Sequence, residues 1–185
     1  MLKNQKPGTI WITGLSASGK TTLATRLAKD LERLGIQNVL VLDGEEVRDQ
    51  LEQFSYLTED RNAIGIQKAL LALSYNRSGK NVIVTGIAHH RETREKVRRM
   101  FKRYAEIYLE CSVDICAQRD CKGHYERAFK GEYKNFIGVT EPYQKSIQPE
   151  LVLNTEQRSV DECAKTLLEF ILQFIGQETL QAEKR

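Results

Sequence analysis

Residues 14–21 read Gly14-Leu15-Ser16-Ala17-Ser18-Gly19-Lys20-Thr21 and satisfy the pattern G-x-x-x-x-G-K-[ST] at every fixed position. The run lies between two stretches of different periodicity. Thr9-Ile10-Trp11-Ile12-Thr13 is short and almost continuously apolar, which predicts a buried strand. Leu23, Ala24, Leu27, Ala28, Leu31 and Leu34 recur at helical spacing until Gly35 ends the run. Strand, glycine-rich turn and helix in that order make a cradle for phosphate. The oxygens of a nucleoside triphosphate must come within hydrogen-bond reach of successive backbone N–H groups, and a β-carbon at Gly14 or Gly19 is expected to obstruct that approach. The helix N-terminus adds its own attraction for anions. Lys20 is expected to act as a point charge on the β- and γ-phosphates, and the Thr21 hydroxyl to ligate Mg²⁺.

The chain of 185 residues suits one domain. Its 28 basic and 25 acidic side chains leave a net charge of +3, too balanced for a general nucleic-acid binder but hospitable to anionic small molecules. Residues 1–7 have no signal-peptide core and no stretch approaches the length of a membrane span, so a cytoplasmic location without a membrane partner is expected. Cys111, Cys116, Cys121 and Cys163 are expected to be free thiols used for packing. The five-residue steps between the first three match no zinc spacing, and His89, His90 and His124 also fall outside ligand patterns, so no zinc is expected.

Further along, apolar strands alternate with helical stretches: Val39–Asp43, Asn81–Ile87, Glu106–Glu110 and Leu151–Leu153 follow the first strand. The fold class expected is α/β, a P-loop NTPase-type parallel sheet of about five strands with helices on both faces. A single kinase domain over 1–185 is expected, with a polar tail from about 176 to 185. The last helix opens on Ser159-Val160-Asp161-Glu162, a capping box. Residues 121–146 are rich in charge and aromatic side chains without a sustained apolar period, and are expected to form a lid that closes over both substrates and excludes water. The basic helix from Arg91 to Tyr104 also carries Glu92 and Glu95, which point to a solvated face with local ion pairs rather than to RNA or DNA.

Asp43 ends the second strand on the side where ligands collect in open α/β sheets, and Glu45 lies just beyond it. Two carboxylates are therefore expected to face a magnesium ion and an acceptor hydroxyl, with Glu45 as general base. From about Thr9 to Ile175 the chain resembles the adenylylsulfate (APS) kinase family. The resemblance rests on Gly14-Leu15-Ser16, Asp43-Gly44-Glu45-Glu46-Val47-Arg48, Asp60-Arg61, Ile87-Ala88-His89-His90-Arg91, Arg119-Asp120-Cys121-Lys122-Gly123-His124-Tyr125, Phe136-Ile137-Gly138 and Pro142-Tyr143. It implies transfer of the γ-phosphoryl group of ATP, with Mg²⁺, to the 3′-hydroxyl of adenosine 5′-phosphosulfate. It implies catalytic roles for Lys20, Asp43 and Glu45, a Mg²⁺ site at Thr21 and Asp43, and ATP contacts from Gly14, Leu15, Ser16, Ala17, Ser18, Gly19, Lys20, Thr21, Thr22 and Arg119. Acceptor contacts are implied for Arg48, Tyr56, Arg61, Ile87, Lys122 and Phe136, with Tyr56 and Phe136 sandwiching the base; Lys122 also resembles a residue that meets ATP. A homodimer is compatible with the sequence.

The departures from the family pattern are specific. Ala88 stands where the family has a phosphorylatable serine, which excludes a phosphoserine at that position and favours direct in-line transfer. His89-His90 replaces Pro-Tyr, and Ile64-Gly65-Ile66-Gln67 replaces Asn-Ile-Arg-Arg. Losing an amide and two guanidinium groups relaxes or changes acceptor specificity. Two further readings follow: a kinase of another nucleotide, such as cytidine diphosphoramidate in capsule modification, and a non-catalytic P-loop regulatory module.

Overall fold

The structure is a computed structural model, and it describes residues 6–43 and 58–176. Five strands, β1 (Thr9–Thr13), β2 (Val39–Leu42), β3 (Asn81–Thr85), β4 (Tyr104–Glu110) and β5 (Leu151–Asn154), form one sheet in the order β2-β3-β1-β4-β5, with every neighbouring pair parallel. The helices are α1 (Lys20–Arg33), α2 (Thr58–Arg77), α3 (Arg91–Met100), α4 (Val113–Arg119), α5 (His124–Phe129) and α6 (Val160–Ile175). The chain moves one way from β1 to β2, then returns through β3 and passes β1 to reach β4. Right-handed crossovers place the helices of those opposite moves on opposite faces.

The side chains follow from the two-residue period of a strand. Ile10, Ile12, Ile83, Ile107 and Leu109 pack with Leu23, Leu27 and Leu31 of α1 and with Cys163, Leu167 and Ile171 of α6. Trp11, Val82 and Val84 point the other way, against Ala69 and Ala72 of α2 and Val97 of α3. β1 and β3 are buried at every residue, which is why they read as continuous apolar runs rather than as alternating ones. Each fully buried aliphatic side chain in these layers contributes about 1.5–3 kcal/mol. The capping box of α6 is present, with Ser159 accepting from the Glu162 backbone and the Glu162 carboxylate accepting from Ser159 N–H.

Three sequence readings are adjusted. The basic helix stops at Met100, and β4 starts at Tyr104 rather than Glu106, because Tyr104 and Ala105 already pair with Thr9 and Ile10. Residues 121–146 contain the short helix α5, and their aromatic side chains form a local cluster in which Tyr133 stacks on Phe136 and Tyr125 meets Phe136 edge-on. All four cysteines are free, but Cys121 is exposed and so is not a packing residue. Among the described residues, no helix is long and apolar enough to cross a membrane.

A buried ion pair, with Arg98 of α3 a further 3.8 Å contact to the same carboxylate, fastens α3 to the sheet. Arg94 and Glu106 are 3 % and 5 % exposed, and Arg94 Nε lies 3.3 Å from Glu106 Oε1. The same guanidinium donates to the carbonyls of Ala88 and Gln144, each at 2.5 Å, while Ser146 Oγ donates to Glu106. Removing one partner strands a buried charge, so Glu106→Ala is expected to lower stability by about 3–5 kcal/mol in urea titration, whereas replacing both residues by leucine is expected to cost less than that single change.

Candidate active site

The glycine-rich turn forms where β1 meets α1, and its backbone carries positive φ at Gly14 (155°), Ala17 (58°) and Gly19 (98°). The two glycines are needed for different reasons. A β-carbon on Gly14 would lie 2.8 Å from Leu109 O and 2.8 Å from Ser18 Oγ, so the protein itself forbids a side chain there. At Gly19 a β-carbon would meet nothing within 4 Å, and the requirement is its left-handed φ as N-cap of α1. At Gly14 the protein's own backbone thus adds a demand for glycine that the sequence reading did not include. Tyr125 Oη and Thr155 Oγ1 hold the turn from outside by donating to Ser16 O and Ser18 O, each at 3.0 Å.

Lys20 Nζ donates to Gly14 O at 3.1 Å and to Leu15 O at 2.5 Å, so its ammonium is folded over the turn. Thr21 Oγ1 donates to Asp43 Oδ2 at 3.0 Å, and Thr85 Oγ1 donates to the same oxygen at 3.2 Å. The start of α1 and the ends of β2 and β3 therefore converge on one carboxylate. Thr21 and Asp43 offer only oxygen donors, the chemistry preferred by Mg²⁺, and their 3.0 Å separation is close to the roughly 2.9 Å between neighbouring ligands of an octahedral ion with bonds of about 2.0–2.1 Å.

A cavity of about 1090 Å³ runs from this turn to the far side of the sheet edge. Of the residues implied by the motifs, it is bordered by Ser16 to Thr22, Asp43, Arg61, Ile87, Arg119, Lys122 and Phe136. Gly14 and Leu15 are not on its wall: Leu15 packs beneath the turn with Cys111, Cys116, Tyr125 and Ile137. Arg119 borders the cavity while donating to Thr155 O at 2.8 Å. Glu45, Arg48 and Tyr56, for which the resemblance implies a general base, an acceptor arginine and half of a base sandwich, lie outside the described residues.

Arg61 is held by the segment 121–146. It donates to Glu141 Oε2 at 2.9 Å and to Asn135 O, and Glu141 Oε1 in turn is 2.7 Å from His89 Nε2. His90 Nε2 stands 3.7 Å from the same Oε1, and the ligand-bearing atoms of His89, His90 and Glu141 all lie within 4.8 Å of one another. Sequence spacing gave no sign of this cluster, because Glu141 is 52 residues from His89. The Arg61 guanidinium on Glu141 already satisfies that carboxylate with positive charge, and the arrangement reads as a hydrogen-bonded clamp. Sequence reasoning also missed Thr85, Asn62, Lys68, Thr155 and Arg158, all on the cavity wall.

Burial pushes the His89 imidazole below its ordinary pKa of 6.5, against the opposing pull of the Glu141 hydrogen bond.

A parallel sheet with this turn at the C-terminal end of β1, and a carboxylate at the end of β2 facing it, defines a P-loop phosphotransferase. The adenylylsulphate kinase family model matches residues 6–154. A probable adenylyl-sulfate kinase of Bacillus subtilis (strain 168) is 38% identical over 171 residues, covering 91% of this chain and 86% of the relative. An adenylyl-sulfate kinase of Synechococcus sp. (strain JA-3-3Ab) is 37% identical over 87% of this chain and 92% of its own. Among solved structures, the Mycobacterium tuberculosis APS kinase CysC in complex with AMPPNP and APS superposes with a TM-score of 0.82 at 30% identity, covering 90% of this chain and 98% of that one. The chain belongs to the adenylylsulphate kinase family and is an ATP-dependent kinase with a hydroxyl acceptor.

A lowered histidine pKa means that the unfolded chain binds a proton that the folded chain resists. Its contribution is fully present above the unfolded value and is lost as pH falls through the depressed one. His89→Gln is therefore expected to flatten the acid limb of stability between about pH 7 and pH 5, read as the urea midpoint at each pH.

Proposed function

We propose that the chain phosphorylates the 3′-hydroxyl of adenosine 5′-phosphosulfate, using ATP and Mg²⁺ within a single P-loop kinase unit. The observation that carries this reading is the shared carboxylate: Asp43 stands between the phosphate turn and the part of the cavity bordered by Arg61, Ile87 and Phe136, so donor and acceptor halves meet at one group. Relatives that the chain matches over most of their length are named adenylyl-sulfate kinase or probable adenylyl-sulfate kinase, which supports the acceptor.

In this reading the triphosphate lies on the backbone N–H groups of residues 14–22, and the Lys20 ammonium leaves the Gly14 and Leu15 carbonyls for the γ-phosphate. Thr21 and Asp43 would hold Mg²⁺, which when bound neutralises charge on the β- and γ-phosphate oxygens. The acceptor O3′ forms its bond to the γ-phosphorus as the bond from that phosphorus to the bridging oxygen breaks. ADP departs, and the hydroxyl proton passes to a carboxylate, for which Glu45 is the candidate. Ala88 supplies no hydroxyl, so transfer is direct. Arg61 and Arg48 take the acid side of the acceptor, Lys122 binds substrate from the base of the lid, Phe136 and Tyr56 flank the acceptor base, and residues 121–146 close over both substrates. The comparisons give no support to an acceptor of another nucleotide class or to a non-catalytic module.

Incubation with ATP, Mg²⁺ and a panel including APS and cytidine diphosphate derivatives, read by mass, is expected to add one phosphoryl group to APS. Addition to another nucleotide and not to APS would overturn the acceptor. Lys20→Ala and Asp43→Asn are each expected to lower turnover by about 10²–10³-fold while the circular dichroism spectrum stays unchanged.

A further inference from the structure

Tyr143, of the Pro142-Tyr143 pair, does not border the cavity, but it is two hydrogen bonds away from a residue that does. Its phenol Oη lies 2.9 Å from Thr13 Oγ1, and Thr13 Oγ1 lies 2.5 Å from Ile87 O. A carbonyl only accepts, so the single Thr13 hydroxyl proton goes to Ile87, and Tyr143 is left as the donor to Thr13. Thr13 is fully buried, ends β1 and precedes Gly14, the first residue of the phosphate turn. Ile87 lies just past the end of β3 and borders the cavity. Two hydrogen bonds in series therefore connect residue 143, the strand that carries the turn, and one residue of the cavity wall.

The phenol is aimed by its surroundings. Its ring stacks on Tyr108 of β4, with centroids 5.9 Å apart and planes at 11°, and the Arg94 guanidinium carbon lies 5.4 Å from the ring centre. Tyr108 is also the register partner of Thr13, so the ring and the hydroxyl it reaches are set by the same pair of strands. Burial raises the phenol above its ordinary pKa of 10, which keeps it a donor. The residues beside Tyr143 hold the rest of the loop. Gln144 N–H donates to His89 O at 3.0 Å, Gln144 Oε1 accepts from Arg91 N–H at 2.9 Å, and Lys145 O accepts from Arg91 Nη2 at 3.3 Å. Residues 141–145 thus form a strap along residues 87–91, and Tyr143 is the member of it that reaches through β1 to Ile87.

We propose that Tyr143 is a positioning residue: acting through Thr13, it fixes Ile87 of the acceptor wall against the strand that ends in the phosphate turn, and so sets where the acceptor hydroxyl stands relative to the γ-phosphate. Transfer between two bound reactants is sensitive to such placement, and an error of about 1 Å costs about 10²-fold in rate. The turn itself has other supports, the Tyr125 and Thr155 hydroxyls on Ser16 O and Ser18 O, so the device acts on the acceptor side and leaves the ATP side in place. This assignment deepens the acceptor reading above and rests on it for the use of Ile87, but not for the coupling of Tyr143 to the loop.

The test compares wild type, Tyr143→Phe, Thr13→Val and Thr13→Ser, with thermal denaturation as a check on folding. Tyr143→Phe keeps the ring and removes only the donor. It is expected to lower kcat with APS by about 10- to 100-fold and to change the KM for ATP by no more than about twofold. Thr13→Val, which keeps the shape and removes the hydroxyl, is expected to lower kcat as well, whereas Thr13→Ser restores the hydroxyl and recovers most of the rate. Hydrogen exchange supplies a readout that needs no substrate. In the peptide spanning residues 86–91, Gly86 N–H donates to Ile12 O at 3.1 Å and Arg91 N–H to Gln144 Oε1, and Tyr143→Phe is expected to speed their exchange by about 2- to 10-fold, the range for one lost hydrogen bond. An unchanged kcat in Tyr143→Phe, a loss confined to the KM for ATP, equal losses in Thr13→Ser and Thr13→Val, or unaltered exchange over residues 86–91 would overturn the assignment. If wild type does not act on APS, the acceptor reading fails by itself, and the exchange measurement alone then decides whether Tyr143 holds the loop.

Discussion

One carboxylate oxygen, Asp43 Oδ2, accepts from Thr21 at 3.0 Å and from Thr85 at 3.2 Å, and the working end of the molecule is organised around it. The three residues are far apart in the chain, but a parallel sheet brings the ends of all its strands to one edge. The reversal of chain direction at β1 opens a crevice at that edge. Asp43 then ties the first turn of α1 to the ends of β2 and β3, so both halves of the cavity share a wall. The Thr85 bond is partly buried and the Thr21 bond exposed, and together they fix the position of the turn relative to the end of β3.

Two more carboxylates extend the same device away from the turn. Glu141 takes Arg61 from α2 and His89 from the loop before α3, and thereby joins the segment 121–146 to both. Glu106 takes Arg94, whose remaining donors clamp the carbonyls of Ala88 and Gln144. Ala88 has a φ of 42°, a conformation that costs a non-glycine residue about 1–3 kcal/mol and persists only when its surroundings over-determine it. The Arg94 clamp does so. A hydroxyl is missing at Ala88, but the backbone shape of that loop is enforced from behind by a buried ion pair.

What could be read from the sequence was local. The turn, the buried strands, the start of α1 and the capping box of α6 each occupy a few consecutive residues, and their residue types have one strong physical reading. What could not be read depends on distance or on an unmarked face. Glu141 lies 80 residues from Arg61, and no spacing rule links them. Lys68 is hidden for another reason: apolar residues surround α2, from buried Ile64, Ala69 and Ala72 to Leu70 at 56 % exposure, so the sequence marks no polar stripe leading to the cavity. At Gly14 one neighbour could not be foreseen, because Leu109 O comes from a strand 95 residues away. Glu45, Arg48 and Tyr56 fall outside the described residues, and their reading still rests on motif alone.

The pattern of losses and gains along α2 bears on selectivity. A guanidinium reads planarity and pairs two oxygens at once, whereas an ammonium is a compact point charge that rewards negative charge with little regard to its shape. Ile64 and Gly65, which line the cavity from α2, offer neither kind of charge. Shape selection must then come from the rigid parts: the clamped loop at Ile87 and Ala88, the Phe136 face stacked on Tyr133, and the Arg61 fork held by Glu141.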